Sequence, residues 1–101
     1  MPKSLYAVVG TWTMAPDRWE EQLHGLHEQV VPLVRQSPGF VAAWWLGDPA
    51  TGRTSSTIIL EDEAAAQQFR AFVEGNSSNR ERAGVTMESL TVVEVMAQAH
   101  R

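Results

Sequence analysis

The chain of 101 residues contains no cysteine. This absence excludes disulfide bonds, thiolate nucleophiles and thiolate metal ligands, and it fits a protein of the reducing cytoplasm. Basic residues are also scarce, since eight lysines and arginines stand against twelve acidic residues and give a formal net charge of −4. Nucleic-acid-binding domains usually carry a basic surface, so we expect no nucleic-acid partner. The apolar runs are too short to span a bilayer, so we expect no membrane partner either.

Histidine is another common metal ligand, and the chain has three. His24 and His27 are three residues apart, a spacing that allows two imidazoles on one helix face to share an ion. A protein metal site needs three or four ligands, however, and no third ligand is evident in the sequence. We therefore expect no metal site.

The stretch 38–47 says most about the architecture. Read as a strand, it has two apolar faces, with Phe40, Ala42, Trp44 and Leu46 on one and Val41, Ala43 and Trp45 on the other. A strand without a polar, solvent-exposed face must be covered by other elements on both sides. We expect helices to cover one face and a second copy of the chain to cover the other, so one of Trp44 and Trp45 meets the cleft and its neighbour meets the partner.

The hydrophobic pattern along the chain predicts a single domain over residues 1–101 with the element order βαββαβ. Strands are expected at 5–14, 40–46, 54–61 and 85–97, with helices at 17–36 and 63–74 and a polar loop at 76–84. In the first helix, a stripe at helical spacing is expected to lie on the sheet: Trp19, Leu23, Leu26, Val30 and Leu33. The order predicts an α+β, ferredoxin-like fold with a four-stranded antiparallel sheet.

The chain resembles a known family in four places: Pro38-Gly39-Phe40 after a helix ending at 31–35, the aromatic strand Trp44-Trp45-Leu46, the turn at 48–52 and the strand-to-helix junction at 58–65. These features are similar to the antibiotic biosynthesis monooxygenase-like group of the dimeric α+β barrel superfamily. The resemblance implies a homodimer in which two sheets face each other, with a cleft between each sheet and its own helices.

The resemblance leaves the activity open, because the superfamily includes cofactor-independent oxygenases, haem-degrading enzymes, isomerases and members with no known activity. Haem-degrading relatives use a histidine on the second helix, and residues 63–74 contain none. They and some oxygenases use an asparagine on the first strand, which is absent from 5–14. We expect a monooxygenase-like protein that oxidises a small aromatic or polyketide-like compound without a cofactor. The alternative is a non-catalytic homodimeric ligand-binding or structural module.

Candidate site residues follow from their predicted positions. His27 flanks the stripe of the first helix and Tyr6 lies on the first strand, so these two are the catalytic candidates. The alternative for His27 is a partly buried residue at the helix edge. Candidate ligand-binding residues are the large apolar side chains near the predicted cleft: Trp12, Met14, Trp44, Trp45 and Phe69. Each of them also suits an ordinary core. Gly10 leaves a gap that a side chain or a ligand would fill.

Overall fold

The protein forms a four-stranded antiparallel sheet, seen in a computed structural model that describes residues 4–101. The strands are β1 (Tyr6–Met14), β2 (Phe40–Asp48), β3 (Arg53–Leu60) and β4 (Val85–Glu94). Their order in the sheet is β2-β3-β1-β4, and every neighbouring pair is antiparallel. The helices come between β1 and β2 and between β3 and β4, which confirms the predicted ferredoxin-like fold.

The helical segments are a 3₁₀ turn (Pro16–Arg18), α1 (Trp19–Gly25), a π-helical turn (Leu26–Val30), α2 (Val31–Arg35), α3 (Glu63–Glu74) and α4 (Ser77–Arg82). The structure therefore differs from the prediction in two places. The first helix is interrupted by the π-helical turn, and the predicted polar loop contains α4. At α3, the Asp62 carboxylate caps the helix by accepting a hydrogen bond from the Ala65 N–H at 2.8 Å.

The π-helical turn changes which side of the first helix faces the sheet. The Val31 N–H donates to the Leu26 carbonyl, five residues back, so this turn holds one residue more than an α-helical turn. Pro32 follows directly and has no N–H to donate. As a result Val34 is buried, whereas Leu33 is 51% exposed. The predicted stripe was wrong at Leu23, Val30 and Leu33, which are 38%, 40% and 51% exposed. The assumption of an unbroken α-helix explains the error at Val30 and Leu33, whereas Leu23 precedes the π-helical turn.

A bulge in β2 corrects the predicted faces of that strand. Phe40 pairs with Leu60 and Ala42 with Ile59, so Val41 is an extra residue between them. The shift places Phe40 on the same face as Ala43 and Trp45, and all three contact the core. Trp44 and Leu46 lie on the opposite face, which the helices do not cover. The expectation that the two neighbouring tryptophans point to opposite faces agrees with this register.

The core lies between the sheet and the helices. Its buried members come from two strands and two helices: Val8, Val34, Ile58, Leu60, Ala66 and Phe69. Two glycines in the sheet admit tryptophan side chains close to the backbone. A Cβ at Gly47 would lie 2.7 Å from the Trp19 ring, and one at Gly10 would lie 2.7 Å from the Trp12 ring. The gap predicted at Gly10 is thus filled by Trp12 from its own strand.

Replacing Gly10 with alanine should destabilise the fold, because the new methyl group would displace the Trp12 indole. We expect a loss of about 1–3 kcal/mol in the free energy of unfolding, the usual cost of overpacking. Gly25→Ala is the matched control, since nothing lies within 4 Å of a Cβ at that helical position. It should be neutral or stabilising by up to about 1 kcal/mol. Urea unfolding of both variants would measure this, and equal midpoints would contradict the packing described.

Candidate functional site

A groove runs between α2 and α3 on the helical side of the molecule. Its volume is about 260 Å³, and its walls are mostly apolar: Leu33, Pro38, Ala65, Phe69 and Phe72. Leu33 is 51% exposed and Phe72 is 44% exposed, so two large apolar side chains line a space open to solvent. Such apolar concavities are the usual places where small molecules bind.

A close backbone approach fixes one end of the groove. Gly39 has a φ of +77°, and a Cβ there would lie 2.8 Å from the Ala65 Cβ. Only glycine combines this left-handed conformation with the lack of a side chain. Since Asp62 caps α3 immediately before, the first turn of α3 is held over the start of β2. The groove wall is therefore built from well-anchored elements.

The polar groups of the groove are uncharged. Gln36, Ser37 and Gln68 line it beside the apolar residues. Amides and a hydroxyl donate and accept hydrogen bonds, but they do not serve as acid or base near neutral pH. No ionisable side chain is among the described residues that line the groove. The arrangement suits a neutral, largely apolar ligand with one or two hydrogen-bonding atoms.

The two catalytic candidates lie elsewhere. The Tyr6 hydroxyl donates a hydrogen bond to Glu94 Oε2 at 3.4 Å, next to the core. Partial burial raises the pKa of the Tyr6 phenol above its ordinary value, and the negative charges of Glu63 and Glu94 raise it further. His27 lies exposed in the π-helical turn. The structure does not bring the two side chains together, and neither lines the groove.

Of the predicted ligand-binding residues, only Phe69 lines the groove. Trp45 packs against the core and Trp44 lies on the outer face of the sheet. Trp12 and Met14 are part-buried on β1, so the five side chains do not form one aromatic pocket. Sequence reasoning missed Leu33, Phe72 and the two glutamines. Leu33 was visible as a member of the stripe of the first helix, but its spacing indicated burial.

A second polar feature lies around Trp12. Its indole Nε1–H donates to Ser56 Oγ at 3.0 Å, and the Arg80 guanidinium lies 5.3 Å from the ring centroid. On α1, the Gln22 Nε2 donates to the Ala83 carbonyl at 2.6 Å, but its Oε1 is buried and has no hydrogen-bond partner. An unpaired buried carbonyl costs about 1–3 kcal/mol.

The outer face of the sheet, the one away from the helices, is apolar at one end of the strands and polar at the other. At one end the aligned residues are Ala42, Ile59, Ala7 and Val93, and hydroxyl side chains predominate at the other. There Thr11 and Ser89 share a hydrogen bond of 2.6 Å, and Thr13 donates to Glu88 Oε1 at 2.8 Å. Along the β2 edge, Trp44 and Leu46 are 48% and 57% exposed. This edge is the most apolar exposed part of the sheet.

Within residues 4–101 no three His, Cys, Asp or Glu side chains come together in a way that would hold a metal ion. The helices of the same range are too short or too polar to cross a membrane.

Neither a protein-family model nor a curated protein sequence matches the chain. Solved structures do. NE2512, a protein of unknown function from Nitrosomonas europaea, is 18% identical with a TM-score of 0.71 over 100% of this chain and 98% of that one. MhuD, a haem degrader from Mycobacterium tuberculosis, is 17% identical with a TM-score of 0.72 over 94% and 99%. A monooxygenase from ActVA-Orf6 of Streptomyces coelicolor, in complex with nanaomycin D, is 16% identical with a TM-score of 0.60 over 99% and 92%.

Other structures of this fold are a dimeric ferredoxin-like protein from an uncultured marine organism and SnoaB, a cofactor-independent oxygenase from Streptomyces nogalater. The chain thus shares its ferredoxin-like fold with structures described as antibiotic biosynthesis monooxygenases, cofactor-independent oxygenases and haem degraders. This confirms the resemblance found in the sequence. A shared fold does not by itself assign an activity.

The raised pKa of Tyr6 is directly measurable, because Tyr6 is the only tyrosine. An ultraviolet titration should show the phenol ionising at a higher pH than free tyrosine. Glu94→Gln should move the pKa back toward its ordinary value by removing a nearby charge. Glu88→Gln is the control, since its carboxylate contacts Thr13 instead, and identical titrations of the two variants would contradict the arrangement.

The same shift has a consequence for stability. The pKa is higher in the folded than in the unfolded chain, so the unfolded chain loses its proton first as pH rises through about 10. The contribution of Tyr6 to stability is therefore fully present below that pH and declines above it. Urea unfolding at several alkaline pH values should show a smaller decline for Glu94→Gln than for Glu88→Gln.

Proposed function

We propose that this protein is a homodimeric, monooxygenase-like oxidoreductase that takes a small, neutral aromatic compound in the groove between α2 and α3. The observation that carries the proposal is the groove itself, an open apolar space with uncharged polar groups at its edge. The fold supports it, since solved monooxygenases share that fold. The cysteine-free sequence fits a cytoplasmic protein.

The groove limits the chemistry that its residues can perform. Leu33, Phe69 and Phe72 would bind the rings of a substrate and exclude water, and Gln68 would orient a carbonyl or hydroxyl group by hydrogen bonding. No lining side chain supplies electrons, so the substrate itself would have to reduce dioxygen. A hydroxylated anthrone has the required reactivity. Its CH₂ carbon becomes a carbonyl carbon, one oxygen atom enters the product, and the other leaves as water with the two hydrogens.

Haem is the cofactor that other members of the fold suggest, because MhuD is a haem degrader. The residues of this chain do not fit it. α3 contains no histidine, and no imidazole, thiolate or carboxylate is among the described side chains that line the groove. An iron ligand of the usual kinds is therefore missing from this place, and no haem-dependent step is proposed.

The apolar β2 edge supports the homodimer. Trp44 is half exposed, and full burial of one tryptophan, about 200 Å² at about 25 cal/mol per Å², stabilises by at most about 5 kcal/mol. Leu46 and Val93 extend the exposed apolar surface on the same face. A second copy that packs its own sheet on this face would bury all three residues in both chains.

A non-catalytic ligand-binding or structural module is the second candidate. Two observations favour it: no ionisable side chain is among the groove residues that the structure describes, and indoles fill the spaces over Gly10 and Gly47. Such a protein would bind the same neutral aromatic compounds and release them unchanged. Binding and turnover must therefore be measured separately.

Oxygen uptake with anthralin, a hydroxylated anthrone, tests the proposal without added metal or flavin. The wild-type protein should accelerate uptake above the rate in buffer. Leu33→Glu places a charge in the groove and should weaken binding by about tenfold or more, with a matching loss of uptake at low substrate concentration. Met96→Glu is the matched control, because Met96 is exposed outside the groove.

The outcomes of this experiment separate the two candidates. If the wild-type protein binds the compound, Leu33→Glu weakens that binding, and the wild type shows no oxygen uptake above the rate in buffer, the protein is the non-catalytic module. This result would contradict the oxygenase. Uptake that is equal in the wild type and in Leu33→Glu would show that the groove is not the site.

The homodimer is tested by solution mass. We expect the wild-type protein to sediment as a dimer at micromolar concentration. Trp44→Glu should shift it to a monomer, because the charge would be buried in the interface. Glu20→Lys, an exposed change on α1, should leave the mass unchanged. A stable wild-type monomer would contradict the proposed assembly.

A further inference from the structure

The segment 76–83, which contains α4 and is called the strap below, has a glycine joint at each end. Gly75 ends α3, and Gly84 precedes β4. Gly84 has a φ of +77°, and a Cβ there would lie 2.7 Å from Nη1 of Arg18 and 3.2 Å from Nε2 of Gln22, so only glycine fits this joint. Joints of this kind let a short segment change position while the elements on either side stay in place.

The strap has no apolar anchor in the core. α4 has the sequence SSNRER, and Ala83, the remaining apolar residue of the strap, is exposed. α3, by contrast, buries Ala66 and Phe69 against the sheet. Most of the stability of a helix in a protein comes from packing such an apolar face. The strap therefore has to be held by polar contacts.

Polar contacts hold both ends of the strap. Beside the Gly75 joint, the Asn76 carboxamide donates to the Phe72 carbonyl at 3.2 Å. At the other end, the Gln22 Nε2 donates to the Ala83 carbonyl at 2.6 Å. The first bond lies within the joint itself, whereas the second ties the strap to α1.

Arg80 makes the contacts in the middle of the strap. Its guanidinium donates to the Val73 carbonyl of α3 and lies 5.3 Å from the centroid of the Trp12 ring on β1. The groups on the other side of these contacts are largely polar, since the Trp12 indole is bonded to the buried Ser56 hydroxyl and Gln22 is buried as well. Water can hydrate such groups when they become exposed, so separation of the strap costs less than exposure of an apolar core.

We propose that the strap opens as a unit about its two glycine joints while the sheet and the other helices stay folded, with Arg80 as the latch. In the open form the guanidinium leaves the Trp12 ring, and the Gln22 carboxamide becomes accessible to water. The strap thereby controls solvent access to the helix-facing side of β1 at Trp12. This motion is independent of the groove and of any oxidation of a substrate.

Hydrogen exchange of the ¹⁵N-labelled protein at increasing urea concentrations tests the proposal. The probes are the side-chain amide of Gln22 and the indole N–H of Trp12, because both are hydrogen-bonded next to the strap. A local opening exposes little surface, so exchange at these probes should not respond to low urea concentrations. The backbone amides of Val8 and Ile58 in the core strands should exchange by global unfolding and respond strongly.

Variants of the latch and of one joint should change the opening in opposite directions. Arg80→Ala should speed exchange at both probes by about tenfold, because it removes the contacts to Val73 and Trp12. Arg82→Ala, an exposed change on the same helix, is the matched control and should leave both rates unchanged. Gly75→Ala fits the backbone and restricts the open form, so it should slow exchange by about two- to fivefold.

Three results would overturn the proposal. Exchange at Gln22 and Trp12 that rises with urea in parallel with Val8 would mean that the strap separates only when the whole fold does. Equal rates in Arg80→Ala and Arg82→Ala would mean that Arg80 is not the latch. A change at one probe alone would mean that the strap does not move as a unit.

Discussion

The π-helical turn at Leu26–Val30 is the constraint on which the rest of the structure depends. It adds one residue between Leu26 and Val31, so Val34 rather than Leu33 takes the sheet-facing position. Without it, an unbroken α-helix would turn Leu33 toward the sheet and leave Val34 outside. The single extra residue therefore buries Val34 in the core and opens Leu33 to the groove. π-helical turns are often found at functional sites, and here the turn shapes the wall of the candidate site.

The molecule has two apolar surfaces with different properties. The groove between α2 and α3 is concave and small, so it suits a small molecule. The β2 edge with Trp44 and Leu46 belongs to a sheet face, so it suits another sheet. The fold keeps them apart, with the sheet between them. Ligand binding and assembly can therefore be changed by separate substitutions.

The sequence was sufficient for the element order and the antiparallel sheet, because runs of β-branched and aromatic residues mark β1 and β3 and an apolar stripe at helical spacing marks α3. It could not place Phe40, because the extra residue at Val41 moves the Phe40 side chain to the opposite face of the sheet. It could not place Leu33, because a π-helical turn leaves no pattern of its own. α4 was missed because its polar sequence lacks the apolar face by which helices are found. Of the predicted site residues Phe69 alone lines the groove, since that site depends on these irregularities.

The central claim is that the π-helical turn buries Val34 and exposes Leu33 to the groove. Nuclear Overhauser effects from a bound neutral aromatic probe test it most directly. Coumarin is a small, neutral aromatic compound with a carbonyl acceptor, so it should enter the groove. The account predicts contacts from coumarin protons to the Leu33 methyl groups and the Phe72 ring. Contacts to Val34 and Val8 in their place would show that the probe lies between helix and sheet, and would contradict the account.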